Sequence, residues 1–183
     1  KLPADRWRAI EIAFWLATLA AYFAFPTHRV LGSQILITGL FAVTLDLILG
    51  YAGIVSLGHA AFFGVGAYAA GLLAVHGWGE PVSGLVVAGA AGALIGYATS
   101  FLVVRGSDLA RLMVTLGIGL MLFEVANQAA FITGGADGLS GVTMGKLFGT
   151  FAFDMRGSTA YLYSLAVLFL LFVAARRIVN SPF

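Results

Sequence analysis

The chain has 183 residues, of which 61% are hydrophobic and 10% are charged, and its formal net charge is +2. A water-soluble domain with its mean hydropathy of +1.00 would expose large apolar patches, so we predict a membrane protein. Cysteine is absent, which excludes disulfides and thiolate metal sites, and the scattered basic residues argue against nucleic acid as a partner.

Six apolar stretches are candidate membrane helices. A helix needs roughly 20 mainly apolar residues to cross a hydrocarbon core of about 30 Å. All four prolines lie outside the six stretches, as helix-breaking residues in connectors should. We therefore predict an all-α polytopic membrane protein with about six transmembrane helices. The predicted spans are 10–25, 30–49, 60–77, 82–104, 112–132 and 160–176.

The basic residues between these spans predict the orientation. Cytoplasmic loops carry an excess of Lys and Arg. With the N-terminus in the cytoplasm, seven basic residues lie inside and three outside, which places the long 133–159 connection outside. The inner set is Lys1, Arg6, Arg8, Arg105, Arg111, Arg176 and Arg177, and the outer set is Arg29, Lys146 and Arg156.

A glycine-rich segment separates the second and third spans. Gly50, Gly53 and Gly58 relax helical order there, through positive φ or close backbone approach, and Ser56 and His59 add hydrogen-bonding groups. Non-helical backbone at membrane depth persists only where protein buries it or water reaches it. The segment is therefore either a tight cytoplasmic turn or a broken, re-entrant piece that lines a pathway, and the residues alone leave both open.

The fourth span carries small residues at every fourth position. Such residues share one narrow helical face, which lets a neighbouring helix approach closely in a membrane. We expect this face to pack within the chain, with a subunit interface as the alternative. Its members are Gly84, Ala88, Gly92, Gly96 and Ser100.

Acidic and amide side chains also lie within the predicted spans. Asp46 is costly there unless it is paired or hydrated, and we expect it to be paired and buried, with a pathway role as the alternative. Glu124 and Asn127, with Gln128, form a polar stripe on the fifth span. The stripe either holds helices together through hydrogen bonds or lines part of a route for solutes.

Common cofactor and metal motifs are not matched. Gly64–Ala69 fits a dinucleotide pattern but lies in an apolar span without the required acidic partner. Gly141–Leu147 resembles a phosphate loop, but it lacks the first glycine and the magnesium-binding hydroxyl. The three histidines have no ligand-like spacing, so we expect neither a cofactor nor a metal.

Three stretches in order resemble one family. Leu45–Tyr68 reads LDLILGYAGIVSLGHAAFFGVGAY and is similar to the signature of the branched-chain amino-acid ABC-transporter permeases of the LivM type. Arg105–Gly117 (RGSDLARLMVTLG) and Thr133–Gly141 (TGGADGLSG) resemble the same family. The resemblance implies a single permease domain over 1–183, which we expect to be the N-terminal part of a permease cut before its cytoplasmic coupling region.

The resemblance also implies a function and a set of partners. It implies uptake across the bacterial inner membrane, with a periplasmic substrate-binding protein, a second related permease subunit and cytoplasmic ATPase subunits, and no enzymatic activity in this chain. We assign two groups of residues from the glycine-rich segment, the polar residues within the spans and the outer glycine-rich turn, together with this resemblance. The candidate pathway residues are Asp46, Gly50, Tyr51, Gly53, Ser56, Gly58, His59, Glu124 and Asn127. The candidate binding-protein docking residues are Gly134, Gly135, Asp137 and Gly138.

Alternatives remain open for the function and for the outer turn. The substrate is expected to be a branched-chain amino acid, but importers of urea or short amides resemble this sequence too. An ion-coupled secondary transporter or a channel could also use a broken segment with Asp46 and Glu124 as ion groups. Asp137 could simply shape a backbone turn, since Asp and Gly favour such positions.

Overall fold

A computed structural model describes residues 9–103 and 107–180, and within these ranges the chain is helical with irregular connections. The expected all-α membrane architecture is confirmed. Four helices are long and apolar enough to cross a membrane, while α1 and α3 are apolar but shorter, with 16 and 17 residues. The helices are α1 (Ala9–Ala24), α2 (Arg29–Asp46), α3 (His59–Val75), α4 (Pro81–Val103), α5 (Asp108–Gln128), α6 (Ala130–Thr133) and α7 (Ser158–Val179).

The fifth span is the one whose predicted limits differ most from the structure, while the last span, predicted as 160–176, extends from Ser158 to Val179. The fifth span was predicted as 112–132, but α5 begins at Asp108 and ends at Gln128, and the short α6 follows after Ala129. Its first turn is polar, with a 3.3 Å ion pair between Asp108 and Arg111, so a reading based on hydropathy starts too late. Its predicted end merged two helices, because the connection between them is also apolar.

The chain folds into two compact units. The first comprises the described residues up to Leu47 and from Phe153 onward, and contains α1, α2 and α7. Tyr161 and Leu168 of α7 are buried against Leu36 of α2. A methyl group on Gly32 would lie 2.5 Å from the Tyr161 ring, and the Tyr161 hydroxyl donates a 2.7 Å hydrogen bond to the carbonyl of Thr18. Gly32 on α2 thus leaves space for the Tyr161 ring, and the hydroxyl of Tyr161 also connects α7 to α1.

Charged contacts secure both ends of this first unit. The Arg176 guanidinium near the end of α7 donates to the Glu11 carboxylate near the start of α1, at 2.5 Å. At the opposite end, Arg29 donates to the Ser158 hydroxyl at 2.9 Å and lies 4.1 Å from the centre of the Tyr22 ring. The two contacts fix the pairing of α7 with α1 and α2 along its length.

The second unit, residues 48–152, contains α3 to α6. In it, α3 packs along the small-residue face of α4. Gly84 faces Ala70, Ala88 faces Gly66, and Gly92 faces the backbone of Phe62, so residues spaced by four meet on both helices. The C-terminal part of the face does not contact α3 in this way. A methyl group on Gly96 would meet nothing within 4 Å, and the Ser100 hydroxyl bonds to the carbonyl of Tyr97 in its own helix.

The turn between α3 and α4 is held by Glu80. Its carboxylate accepts a 2.8 Å hydrogen bond from the backbone N–H of Ser83, in the first turn of α4. This bond stabilises the charged form and lowers the pKa of Glu80 below its ordinary value. The indole N–H of Trp78 donates to the Ser83 hydroxyl at 2.9 Å, which holds this exposed aromatic ring at the helix end.

Candidate functional site

The glycine-rich segment begins with a widened turn of helix. Residues Leu47–Tyr51 at the end of α2 form a π-helical turn, which contains Gly50 and Tyr51. Gly53 then adopts a φ of +64°, which favours glycine, and the N–H of Ile54 bonds back to the carbonyl of Ile48 at 3.2 Å. Turns of this kind are often found at functional sites, because they release backbone groups from regular helical pairing.

The rest of the segment lies against the side of α5. The backbone N–H of Leu57 donates to the hydroxyl of Thr115 at 3.2 Å, and that hydroxyl donates to the carbonyl of Leu112. Gly58 is buried, and a methyl group on it would lie 2.2 Å from the carbonyl oxygen of Thr115. Its φ is −94°, so of the two reasons for glycine, positive φ does not apply at Gly58 and close backbone approach does.

The level of this contact along α5 bears on the nature of the segment. Thr115 lies seven residues beyond Asp108, the first residue of α5, which corresponds to about 10 Å along the helix axis. A methyl group on Gly119, one turn further along, would lie 3.3 Å from the Cα of Gly58. The start of α3 is therefore opposite the interior of α5 and not its end, which favours a broken segment over a simple turn.

An apolar cleft of about 510 Å³ opens beside this contact, between α3 and α5. Its walls are mostly aliphatic and aromatic, with three polar side chains from Tyr68, Asn127 and Thr133. Gly58 and Asn127 are 69 positions apart in the sequence, yet both line the cleft. Of the candidate pathway residues, these two are the pair that the cleft brings together.

The remaining candidate pathway residues lie elsewhere. Ser56 and His59 are half-buried and do not line the cleft. Glu124 is exposed and accepts a 2.8 Å hydrogen bond from the amide of Gln128. Asp46 is also exposed and has no ion pair among the residues that the structure describes, so the expectation that it is paired and buried is wrong for this chain.

The candidate docking residues form a compact turn after α6. Gly134, Gly135 and Gly138 have φ values of +79°, +61° and +73°, so each adopts a conformation that disfavours other residues. The hydroxyl of Thr133 donates to the carbonyl of Ala129 at 2.9 Å and accepts from the N–H of Gly135. The backbone conformation of the turn is therefore enough to explain why glycine occupies these three positions. The side chain of Asp137 is exposed.

Sequence reasoning missed Thr115, Thr133 and Tyr68. The two threonines are buried and both bond to backbone, and Tyr68 lines the cleft from α3. Both threonines lie in family-like stretches, but a hydroxyl within or just after an apolar helix is also common where the side chain bonds to its own helix, so these stretches do not single them out. Tyr68 closes the first family-like stretch, but nothing in its spacing indicates a cleft.

Comparison with known proteins places the chain in a family. Residues 30–183 match the family described as branched-chain amino acid transport system / permease component. The chain belongs to this family. The resemblance inferred from the three ordered stretches is thereby confirmed. No solved structure matches the sequence.

Two curated relatives of this permease-family chain are both called high-affinity branched-chain amino acid transport system permease protein LivM. The protein of Escherichia coli (strain K12) is 37% identical over 110 residues, which cover 57% of this chain and 25% of the relative. The protein of Salmonella typhimurium (strain LT2) is 34% identical over 146 residues, which cover 74% of this chain and 33% of the relative. The match thus spans a quarter to a third of the length of these relatives.

The contact of Thr115 with the glycine-rich segment of this permease-family chain can be tested by substitution. Thr115→Val keeps the shape but removes the acceptor for the Leu57 N–H, and should cost about 1 kcal/mol. The midpoint of thermal unfolding in detergent should fall by roughly 2–4 °C for a chain of this size. Thr115→Ser keeps the hydroxyl but loses a buried methyl group, so it is compared with Thr115→Ala, which lacks both, and its midpoint should be higher than that of Thr115→Ala by a similar amount. Equal midpoints in the serine and alanine variants would contradict a role for this hydrogen bond.

Proposed function

We propose that the chain is part of the transmembrane subunit of an ATP-driven importer that takes up branched-chain amino acids across the bacterial inner membrane. The family match over residues 30–183 carries this proposal. In it, a periplasmic binding protein delivers the substrate and a second related permease subunit completes the path. ATP hydrolysis belongs to separate cytoplasmic subunits, and we assign no bond-making chemistry to this chain.

The cleft between α3 and α5 supports a route for an apolar amino acid. Its volume is within the range of about 300–1,000 Å³ that is usual for small-molecule sites. Its aliphatic and aromatic walls suit a branched aliphatic side chain, while the amide of Asn127 and the hydroxyl of Tyr68 can bond to the polar groups of the solute. We place Gly58 at the inner boundary of this route, where the broken segment meets α5.

The direct test is transport by the reconstituted complex. Proteoliposomes with the full permease, its ATPase subunits and its binding protein should accumulate leucine, isoleucine and valine only when ATP and the binding protein are both present. Urea and acetamide should compete weakly. Uptake of urea in preference to leucine would favour the short-amide importer, and uptake driven by an ion gradient without ATP would favour a secondary transporter.

Asn127 provides a test of the cleft within that assay. Asn127→Leu removes the amide from the wall and should lower leucine uptake by roughly tenfold, since about 1.4 kcal/mol of lost interaction corresponds to that factor. Gln128→Leu is the matched control, because Gln128 is the next residue on α5 but does not line the cleft. Similar uptake in Asn127→Leu and wild type, with normal assembly, would remove the cleft from the route.

We propose that the N-terminus is cytoplasmic, on the basis of the seven-to-three distribution of basic residues. Four of the seven inner residues lie outside the described residues, namely Lys1, Arg6, Arg8 and Arg105. The turn at Gly134–Gly138 is then outside, and we propose it as the docking surface for the binding protein, with the exposed Asp137 available for contact. Gly145 donates to the carbonyl of Gly79 at 2.7 Å, so the α3–α4 turn and the 134–157 connection share one side.

Cysteine labelling tests this orientation. Residues 1–183 contain no cysteine, so each single substitution adds one thiol to this part of the permease, and the complex without the substitution gives the background labelling. Ser107→Cys should react with a membrane-impermeant maleimide only from inside, and Ser140→Cys only from outside. Ser140 is preferred to Gly138, whose φ of +73° disfavours a side chain. Labelling of both sites from the outside of intact cells would contradict the proposed topology.

A further inference from the structure

A small hairpin in the long connection displays apolar side chains. Leu147 and Phe151 exchange backbone hydrogen bonds of 2.8 and 3.1 Å, which closes a tight turn over residues 148–150. Phe148 at its tip is 71% exposed, Phe151 is 61% exposed, and the nearby Met144 is 56% exposed. In a segment outside the helices, such a group of large apolar side chains requires a partner surface that shields it from water.

The tip residue has an unusual backbone conformation. Phe148 has a φ of +51°, and it is the one non-glycine residue with positive φ in the described part of the chain. Gly149 beside it has a φ of +72°. Tight hairpin turns of this form favour Asn, Asp or Gly, so a phenylalanine there costs free energy locally. The fold nevertheless places an aromatic ring at the outermost point of the hairpin, which indicates a contact made by that ring.

The level of the hairpin is fixed by its attachment to the α3–α4 turn. The N–H of Gly145 donates to the carbonyl of Gly79 at 2.7 Å, two residues before the hairpin. A methyl group on Gly79 would lie 2.5 Å from the carbonyl of Thr143, so the two backbones touch. Gly79 is two residues before Pro81, where the apolar helix α4 begins, and the exposed ring of Trp78 is beside it. The hairpin therefore starts at the level where α3 ends and α4 begins.

We propose that the hairpin Leu147–Phe151 is an interfacial anchor that inserts its aromatic tip into the lipid headgroup region. At this level Trp78 is typical of the aromatic belt of membrane proteins. Phe148 and Phe151 enter the boundary between headgroups and acyl chains, and the ammonium of Lys146 remains among the lipid phosphates. The partner is the bilayer itself.

The charge pattern favours a lipid surface over a protein partner. Residues 138–153 include one basic residue, Lys146, and no acidic residue. The charge of Lys146 is attracted to anionic headgroups, and the neighbouring carboxylates, Asp137 and Asp154 along the chain and Glu80 in the α3–α4 turn, lie outside the hairpin itself. The polar side chain of Asp137 lies before this range, so the proposed docking turn and the proposed anchor are separate parts of the connection.

Spin labels can measure the depth of the tip. Phe148→Cys and Phe151→Cys, each carrying a nitroxide, are placed in the full complex in liposomes of phosphatidylethanolamine and phosphatidylglycerol. Both labels should collide more often with oxygen than with a water-soluble nickel chelate, as for a group about 5–10 Å into the interface. Ser140→Cys, an exposed position in the same connection, should show the opposite preference.

Two results would overturn the anchor. If both tip labels collide mainly with the nickel chelate, the hairpin is in water. If they are shielded from both reagents in the complex but reach oxygen or nickel when the binding protein or the second permease subunit is omitted, the tip contacts protein. If Phe148→Cys fails to assemble because of its φ, the label at Phe151, whose φ is not positive, gives the same reading.

Discussion

Gly58→Val should reduce leucine uptake by the reconstituted importer by roughly tenfold or more while the subunits still associate. The new side chain would begin 2.2 Å from the carbonyl oxygen of Thr115, so either the segment or α5 has to move. Forcing extra carbons into a packed contact costs about 1–3 kcal/mol. Because Gly58 also lines the cleft, the displacement acts directly on the proposed route.

Two other glycines provide controls for this prediction. Gly117→Ala lies on α5 near the same contact, but its methyl group would meet nothing within 4 Å, so transport should be normal. At Gly53 φ is +64° and the surrounding space is open, so Gly53→Ala strains the backbone of the segment without creating a steric clash. Uptake and substrate-stimulated ATP hydrolysis are measured together with subunit stoichiometry. Wild-type transport in Gly58→Val would reduce the segment to a connector.

Gly66→Leu should separate α3 from α4 and lower the yield of assembled complex severalfold. A methyl group at Gly66 would already lie 3.1 Å from the carbonyl of Ala88, and leucine adds three more carbons at a buried position. Close approach of small residues is the main source of helix association in lipid, since burial from water contributes little there. The separation should also lower the midpoint of thermal unfolding by several degrees, as a loss of about 1–3 kcal/mol implies.

Gly96→Leu is the matched control on the same predicted face of α4. The sequence spacing alone predicts that leucine is disruptive at Gly96, whereas the structure leaves open space around it. The yield of Gly96→Leu, measured by size-exclusion chromatography, and its midpoint of thermal unfolding in detergent should therefore remain near the wild-type values. A loss equal to that of Gly66→Leu would indicate that another subunit packs on this part of the face.

The six apolar helices and most of their limits were predictable because hydropathy and proline position report on lipid exposure directly, although four of the six are long and apolar enough to cross a membrane. The face of α4 was also predictable as a pattern, but its extent was not. Spacing by four continues through Gly96 and Ser100, whereas contact requires a partner residue, and α3 supplies one only opposite Gly84, Ala88 and Gly92.

The site was less predictable than the fold. Sequence composition drew attention to Gly58 and Asn127, but their shared cleft depends on how α3 lies against α5. The role of Thr115 was not foreseeable, because one hydroxyl in an apolar helix usually bonds to its own helix and here it also accepts from Leu57. The exposure of Asp46 was also not predicted. The high cost of a charge in lipid predicts that the carboxylate is buried, but this argument does not identify a residue that could pair with it.

The first unit also has a consequence for the order of biosynthesis. Its halves come from distant parts of the sequence, with 143 residues between Thr18 and Tyr161 and 165 between Glu11 and Arg176. At about 5–20 residues per second, the ribosome needs on the order of ten to thirty seconds between α1 and the end of α7. During this interval α1 and α2 have to remain in the membrane without α7, so the final docking of the first unit follows the synthesis of the entire second unit. Mutations that loosen Tyr161 or Arg176 should therefore increase quality-control degradation of newly made protein more than they affect the mature permease.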